Sequence, residues 1–181
     1  MDNNWAMKES KIERYFFERM LQQKEYLGEN KLINKTQPLV SVFVTTYQQK
    51  DYIEQCLESV INQETDFTFE IVIGEDGSTD GTREICKKFA EMYQDKIRLF
   101  LRDREESVYK DWLKRSTRLN GRFSRLSCRG KYLAMCEGDD YWIDKKKLSK
   151  QVLFMENNIS CGLVFSKAIV YLESNNEYGE I

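Results

Sequence analysis

The sequence predicts an α/β domain, a mostly parallel sheet with helices on both faces, preceded by an amphipathic helix. Three observations carry this reading. Short apolar runs recur at 39–44, 69–73, 97–101 and 132–136, of the length expected for strands. Between the first three lie segments whose apolar residues repeat at helical spacing, so the order is strand, helix, strand, helix, strand, the rhythm of a parallel sheet. The loops that follow three of these runs are rich in Asp, Gly, Ser and Thr. In an open parallel sheet, ligands bind beyond the carboxyl ends of the strands, where such loops gather.

Taken in order, residues from about Lys8 to Leu27 carry Ile12, Tyr15, Phe16, Met20 and Leu21 at helical spacing among balanced charges. This reads as a helix packed on its own domain, since its polar face lacks the Lys and Arg enrichment of a membrane-surface helix. The division expected is a helical extension over 1–37 and a single domain over 38–181. Pro38, the only proline, marks the entrance to Leu39, Val40, Ser41, Val42, Phe43 and Val44, a strand covered on both faces. Ile53, Cys56, Leu57, Val60 and Ile61 then form one helix face. The second strand leads into the turn 75–81, where Asp80 or Ser78 is placed to cap a helix that buries Ile85, Phe89 and Ala90.

After the third strand, residues 102–131 turn basic, with ten Lys or Arg against four Asp or Glu. Leu119, Phe123 and Leu126 share a helical face there, leaving Arg122, Arg125 and Arg129 on another. The fourth strand runs directly into Glu137, Gly138, Asp139 and Asp140, so the charge changes sign at its end. Asp144 is placed to cap a helix through Leu148, Val152 and Met155, and 162–171 reads as a last strand.

Composition excludes several functions. With 41% apolar and 32% charged residues in 181, the chain matches a soluble globular protein with one core rather than a disordered one. A net charge of −2 argues against a nucleic-acid partner. Five widely spaced cysteines without a Cys-x-x-Cys pair, and no histidine, argue against a zinc site and read as reduced thiols. Cys56 and Cys86 fall on helix faces expected to be buried. No histidine also means no imidazole base. The first ten residues lack the apolar core of a signal peptide and no later run is long enough to span a bilayer, so the expected location is cytoplasmic, with the inner face of the membrane open to peripheral association.

Each loop alone has a structural explanation, because Asp, Gly, Ser and Thr dominate turns and caps. The fourth loop asks for more. Three carboxylates within four residues repel one another unless a cation or hydrogen-bond donors compensate, and the glycine beside them permits close approach of a ligand. Mg²⁺ or Mn²⁺ suits such oxygens, binding through one or two carboxylates plus substrate phosphates. Its task would be to neutralise charge on a diphosphate leaving group. Arginines of the preceding basic stretch are candidates to share it.

Three blocks in this order resemble the inverting family 2 glycosyltransferases. They are Pro38-Leu-Val-Ser-Val-Phe-Val-Thr-Thr-Tyr, Phe69-Glu-Ile-Val-Ile-Gly-Glu-Asp-Gly-Ser-Thr-Asp-Gly-Thr, and Arg129-Gly-Lys-Tyr-Leu-Ala-Met-Cys-Glu-Gly-Asp-Asp-Tyr-Trp. The likeness covers roughly 38–170. It implies the Rossmann-like GT-A fold and a nucleoside diphosphate sugar, UDP-linked, as donor, with Thr45 and Tyr47 against the nucleotide, Asp76 on the base edge, and Arg118 and Asn120 near the donor. It implies that Asp139 and Asp140 meet metal, diphosphate or donor sugar, with Glu137 either a third ligand through water or a brace for the loop. The acceptor implied is a hydroxyl of a glycan or lipid-linked glycan in surface-polysaccharide assembly.

Two departures from the family pattern stand out: Glu137 replaces its first aspartate, and Gln48 stands where asparagine is frequent. Family members also continue into an acceptor-binding half that supplies the general base. Here the later carboxylates, Glu173, Glu177 and Glu180, sit in a polar tail without a core pattern. An enzyme and a donor-binding module without turnover, truncated or completed by a partner chain, are therefore both consistent with the sequence. A nucleotidyltransferase is disfavoured by the lack of a glycine-rich phosphate loop with a following lysine near the first strand.

Overall fold

The computed structural model describes residues 23–28, 37–104, 119–172 and 177–180. A five-stranded sheet forms the centre. Its strands are β1 (Glu25–Tyr26), β2 (Val40–Thr46), β3 (Phe69–Glu75), β4 (Ile97–Leu101) and β5 (Tyr132–Glu137), in the spatial order β1-β4-β3-β2-β5. β2, β3, β4 and β5 are mutually parallel, and β1 closes one edge antiparallel to β4 through Glu25 opposite Phe100. The chain steps outward from β2 to β3 to β4, then returns to the other side of β2 for β5. That reversal is the switch point at which open parallel sheets present a crevice.

Among the described residues, four helices cover the sheet: α1 (Lys50–Ile61), α2 (Thr82–Met92), α3 (Leu119–Leu126) and α4 (Lys147–Asn157). Alternation along the strands decides which residues each layer meets. Val40, Val42, Val44, Ile71, Ile73, Ile97 and Leu99 point to one face, where they pack with Ile53, Leu57 and Val60 of α1, Phe89 of α2 and Leu148 of α4. Fully burying side chains such as Ile53 and Leu57 contributes roughly 1.5–3 kcal/mol each. Phe43, Val72 and Phe100 face the other way, and α3, with Leu119 and Phe123 buried, lies against β2 and β3 on that side. Helices on both faces are thus observed. β5 gets less cover, since Leu133 and Met135 remain 48% and 58% exposed.

Gly74 in β3 explains how α3 seats so deeply. A Cβ there would lie 2.1 Å from Ser124 Oγ and 2.3 Å from Asn120 Oδ1, so any other residue would push both side chains from the places they take. Asn120 Nδ2 donates to the Gly74 carbonyl at 2.7 Å, which locks it in place.

Several expected elements take a different form. Residues 8–22 of the expected N-terminal helix lie outside the described residues, but its end is not helical: Glu25–Tyr26 is a strand, held by pairing with β4. The expected last strand is confined to β6 (Ile169–Leu172), which pairs with β7 (Glu177–Glu180) in a separate hairpin. Neither expected cap sits on the helix as anticipated. Gly81, at φ +110°, precedes α2, while Asp80 accepts from the backbone N–H and the hydroxyl of Thr82 and Ser78 turns toward Gln48. Asp144 accepts from the Lys146 N–H, one residue before α4 starts.

Candidate functional site

Register brings three loops together. Thr45 in β2 stands opposite Gly74 of β3 on one side and Glu137 of β5 on the other, so all three strands end at one level. The loops are stitched by backbone bonds: Asp76 N–H donates to Thr46 O at 3.0 Å and Gly138 N–H to Thr45 O at 2.9 Å. Gly138 is required by this closeness, since a Cβ would come within 2.4 Å of Gln49 Oε1 and 2.8 Å of Thr46 Cβ. The Thr46 hydroxyl beside it is buried and makes no hydrogen bond.

The acidic loop is divided. Glu137 turns back, and its Oε2 accepts from Thr45 Oγ1 at 2.5 Å. Asp139 and Asp140 are exposed. Partial burial of its carboxyl, and then the charge of Asp139, push the Asp140 pKa above the ordinary range. Among the described residues no three His, Cys, Asp or Glu side chains form a metal cage. Asp139 and Asp140 are two carboxylates of the kind that could share a hard divalent ion with water and other oxygens.

Beneath this loop Cys56 Sγ lies 3.8 Å from Cys136 Sγ and 3.3 Å from Glu137 O. The contact with Cys136 and burial raise the Cys56 thiol pKa strongly, and burial does the same for Cys86. Both behave as small buried hydrophobes, as their helix positions suggested.

The other side of the crevice pairs an aromatic ring with a carboxylate. Tyr47 is half-exposed, and the Arg104 guanidinium stands 3.9 Å from its ring centroid while approaching Asp76 Oδ2 at 3.5 Å. Gly77 makes room for Arg104, because a Cβ there would lie 2.8 Å from Arg104 Cγ. A planar group bearing N–H donors thus already sits between the ring face and the carboxylate. Arg104 went unnoticed in the sequence because it lies in a basic stretch with no local mark.

Below Asp76 the loop rests on fully buried Glu75, which accepts from Ser78 N–H at 2.6 Å and from Arg83 Nε at 2.5 Å. Thr45, Tyr47, Asp76, Glu137, Asp139 and Asp140 therefore share one end of the sheet. Arg118 lies outside the described residues. Asn120 is buried against Gly74 and accepts from Arg102, so its side chain is engaged within the fold. Arg129 is at the wrong end: it binds Glu70 at the amino ends of the strands, at 2.6 Å, and does not share the task suggested for the basic stretch. Arg122 and Arg125 are exposed on α3.

The profile of Glycosyl transferase family 2 matches residues 41–178. The chain belongs to this family. An uncharacterized protein of Mycobacterium tuberculosis is 34% identical over 141 residues, covering 78% of this chain and 38% of its own length. The putative teichuronic acid biosynthesis glycosyltransferase TuaG of Bacillus subtilis is 34% identical over 129 residues, covering 71% of this chain and 46% of that protein. The chain thus spans less than half the length of these family 2 relatives. Among solved structures, Staphylococcus aureus TarS superposes with a TM-score of 0.52 at 25% identity, over 65% of this chain and 19% of TarS. This likeness agrees with the sheet order and helix layers of a GT-A-type α/β fold. Among the described residues no helix is long and apolar enough to cross a membrane.

Proposed function

We propose that this chain carries the donor-binding site of an inverting glycosyltransferase, which moves a sugar from a nucleoside diphosphate sugar, UDP-linked, to a hydroxyl acceptor. The observation that carries the reading is the convergence, at one level of the sheet, of an aromatic–carboxylate slot and an acidic loop. Tyr47 offers its face to a base and Asp76 accepts from a base N–H in the place that the Arg104 guanidinium takes in the structure, so Arg104 gives way when the base binds. Thr45 lies beside them on the nucleotide, and Arg118 is assigned to the donor on the family resemblance. The diphosphate lies toward β5. Asp139 and Asp140 hold Mg²⁺ or Mn²⁺ there, and Glu137, tied to Thr45, braces the loop from behind. When bound, the ion stabilises negative charge on the departing diphosphate. The protein's own contribution is positioning: it holds the donor across three strand ends and keeps the carboxylates fixed by the Gly138 and Thr45 contacts.

We assign residues 38–181 to this domain and 1–37 to an extension. The name of TuaG supports an acceptor in surface-polysaccharide assembly, a glycan or lipid-linked glycan, with the protein in the cytoplasm at the inner face of the membrane. A second reading, a donor-binding module completed by a partner chain, is favoured by the uncovered Leu133 and Met135 face of β5.

Isothermal titration of UDP with and without Mn²⁺, paired with UDP-sugar hydrolysis, tests both. Metal-dependent binding with turnover supports the enzyme and metal-dependent binding alone supports the module. No UDP binding under either condition removes both readings.

A further inference from the structure

Gln48 is the one non-glycine with positive φ among the described residues, at +54°. A straight-chain residue visits this left-handed region rarely, and such conformations persist where surrounding contacts impose them. Gln48 is exposed and fills no core space. What imposes its conformation is a set of hydrogen bonds to the neighbouring loop. Its N–H donates to Ser78 Oγ at 2.9 Å, its Oε1 accepts from Thr79 N–H at 2.7 Å, and its Nε2 donates to Thr79 Oγ1 at 3.2 Å. Ser78 is in turn tied to buried Glu75, which Arg83 holds. A continuous path of bonds therefore links the β3 loop to the residue directly after Tyr47.

The two residues facing the aromatic–carboxylate slot lie on different loops, Tyr47 after β2 and Asp76 after β3. Asp76 N–H to Thr46 O ties the two loops where they leave the sheet, and Gln49 N–H to Thr82 Oγ1 and Lys50 N–H to Asp80 Oδ2 tie them farther on, with Gln48 between. The Gln48 bonds bridge the loops just outside the sheet, at the place where ring-to-carboxylate spacing is set. Asparagine would tolerate the left-handed backbone better, but it is one methylene shorter. The longer amide can span the gap to Thr79 at the expense of backbone ease. Strain retained at an exposed position, without any packing return, points to a role in the site.

We infer that Gln48 is a positioning residue for base recognition: its clasp on Ser78 and Thr79 presets the distance between Tyr47 and Asp76, and these bonds run to the β3 loop rather than to the acidic loop on β5. This rests on the nucleotide reading above. The test uses the full chain and two probes, UDP with Mn²⁺ and inorganic pyrophosphate with Mn²⁺. Gln48→Gly removes both side-chain bonds to Thr79, keeps the backbone bond to Ser78 and relieves the backbone, so the fold is expected to keep its melting temperature. UDP affinity should fall about threefold to tenfold, while pyrophosphate affinity stays within about twofold, because only the base end is loosened. Thr79→Val, which deletes the Oγ1 acceptor but leaves its N–H, should produce a smaller loss, and combining it with Gln48→Gly should add nothing further.

Unchanged UDP affinity in Gln48→Gly overturns the inference. So does an equal loss for UDP and pyrophosphate, which would make Gln48 a general structural support. If the unsubstituted chain binds pyrophosphate–Mn²⁺ but gains nothing from the uridine of UDP, the base assignment of Tyr47 and Asp76 fails first, and the role of Gln48 with it.

Discussion

The two ends of the sheet use the same chemical groups in opposite ways. At the amino ends, Glu70 is 1% exposed and its needs are met: Ser41 Oγ donates at 2.6 Å, Arg129 N–H at 2.9 Å, and the Arg129 guanidinium at 2.9 and 2.6 Å, with Arg98 3.5 Å away. Burial alone would raise its pKa, but the bonds from Arg129 and Ser41 outweigh that and leave it lowered. At the carboxyl ends, Asp139 and Asp140 stand exposed side by side, and Asp140 is shifted upward. A satisfied carboxylate holds a fold together, whereas two neighbouring carboxylates at the surface repel each other. Charge alone does not separate structure from site; partners do.

The sharpest way to break this contrast is to remove Glu70. Glu70→Ala takes from Arg129 its 2.6 Å ion pair and leaves Arg98 with Glu25 alone as a charged partner, and it should lower the free energy of unfolding by about 3 kcal/mol in urea denaturation. The same carboxylate has a pH signature. Its folded pKa is depressed, so its contribution is present above the unfolded value, near 4.5, and is lost as pH falls through the folded one. The stability gap between the wild type and Glu70→Gln should therefore narrow on acidification below about 4.5 in thermal melts.

The opposite end should respond in the opposite sense. Asp139→Asn with Asp140→Asn should weaken Mn²⁺-dependent UDP binding by about tenfold or more, a differential of about 1.4 kcal/mol per decade. Its melting temperature should hold or rise, because a repulsive pair has been removed. A large loss of stability would show that these carboxylates are structural after all.

Two glycines give finer measures. Gly138→Ala, with Thr46 Cβ fixed in β2 only 2.8 Å away, should cost about 1–3 kcal/mol. Gly121→Ala in α3 meets only Thr45 Cγ2, at 3.7 Å, and should stabilise by about 0.5–1 kcal/mol. Both follow from chemical denaturation curves.

What could be read in the sequence was local. Runs such as Val40 to Val44 identified the parallel strands, and the acidic loop Glu137 to Asp140 falls at the carboxyl end of β5, as its place after such a run implied. What could not be read depended on partners far along the chain. β1 is two residues long and exists because β4 offers an edge to pair with. Arg129 resembled its basic neighbours until Glu70, 59 positions earlier, was found to bind it. For Glu137 the sequence left two roles open, a ligand through water or a brace for the loop, and the hydrogen bond from Thr45, 92 positions away, ties its carboxylate back to β2. Periodicity reports burial within an element, not which distant side chain will claim a charge.

Strand order has a further consequence. The slot at β3 and the acidic loop at β5 are separated by β2 alone, two interstrand steps or about 10 Å. The sheet thus acts as a ruler whose unit is the hydrogen-bonded spacing of the backbone, and the length of ligand that can bridge both loops is set before any side chain is chosen. Point substitutions can retune what each end grips. Changing the span would require β5 to enter the sheet at another position.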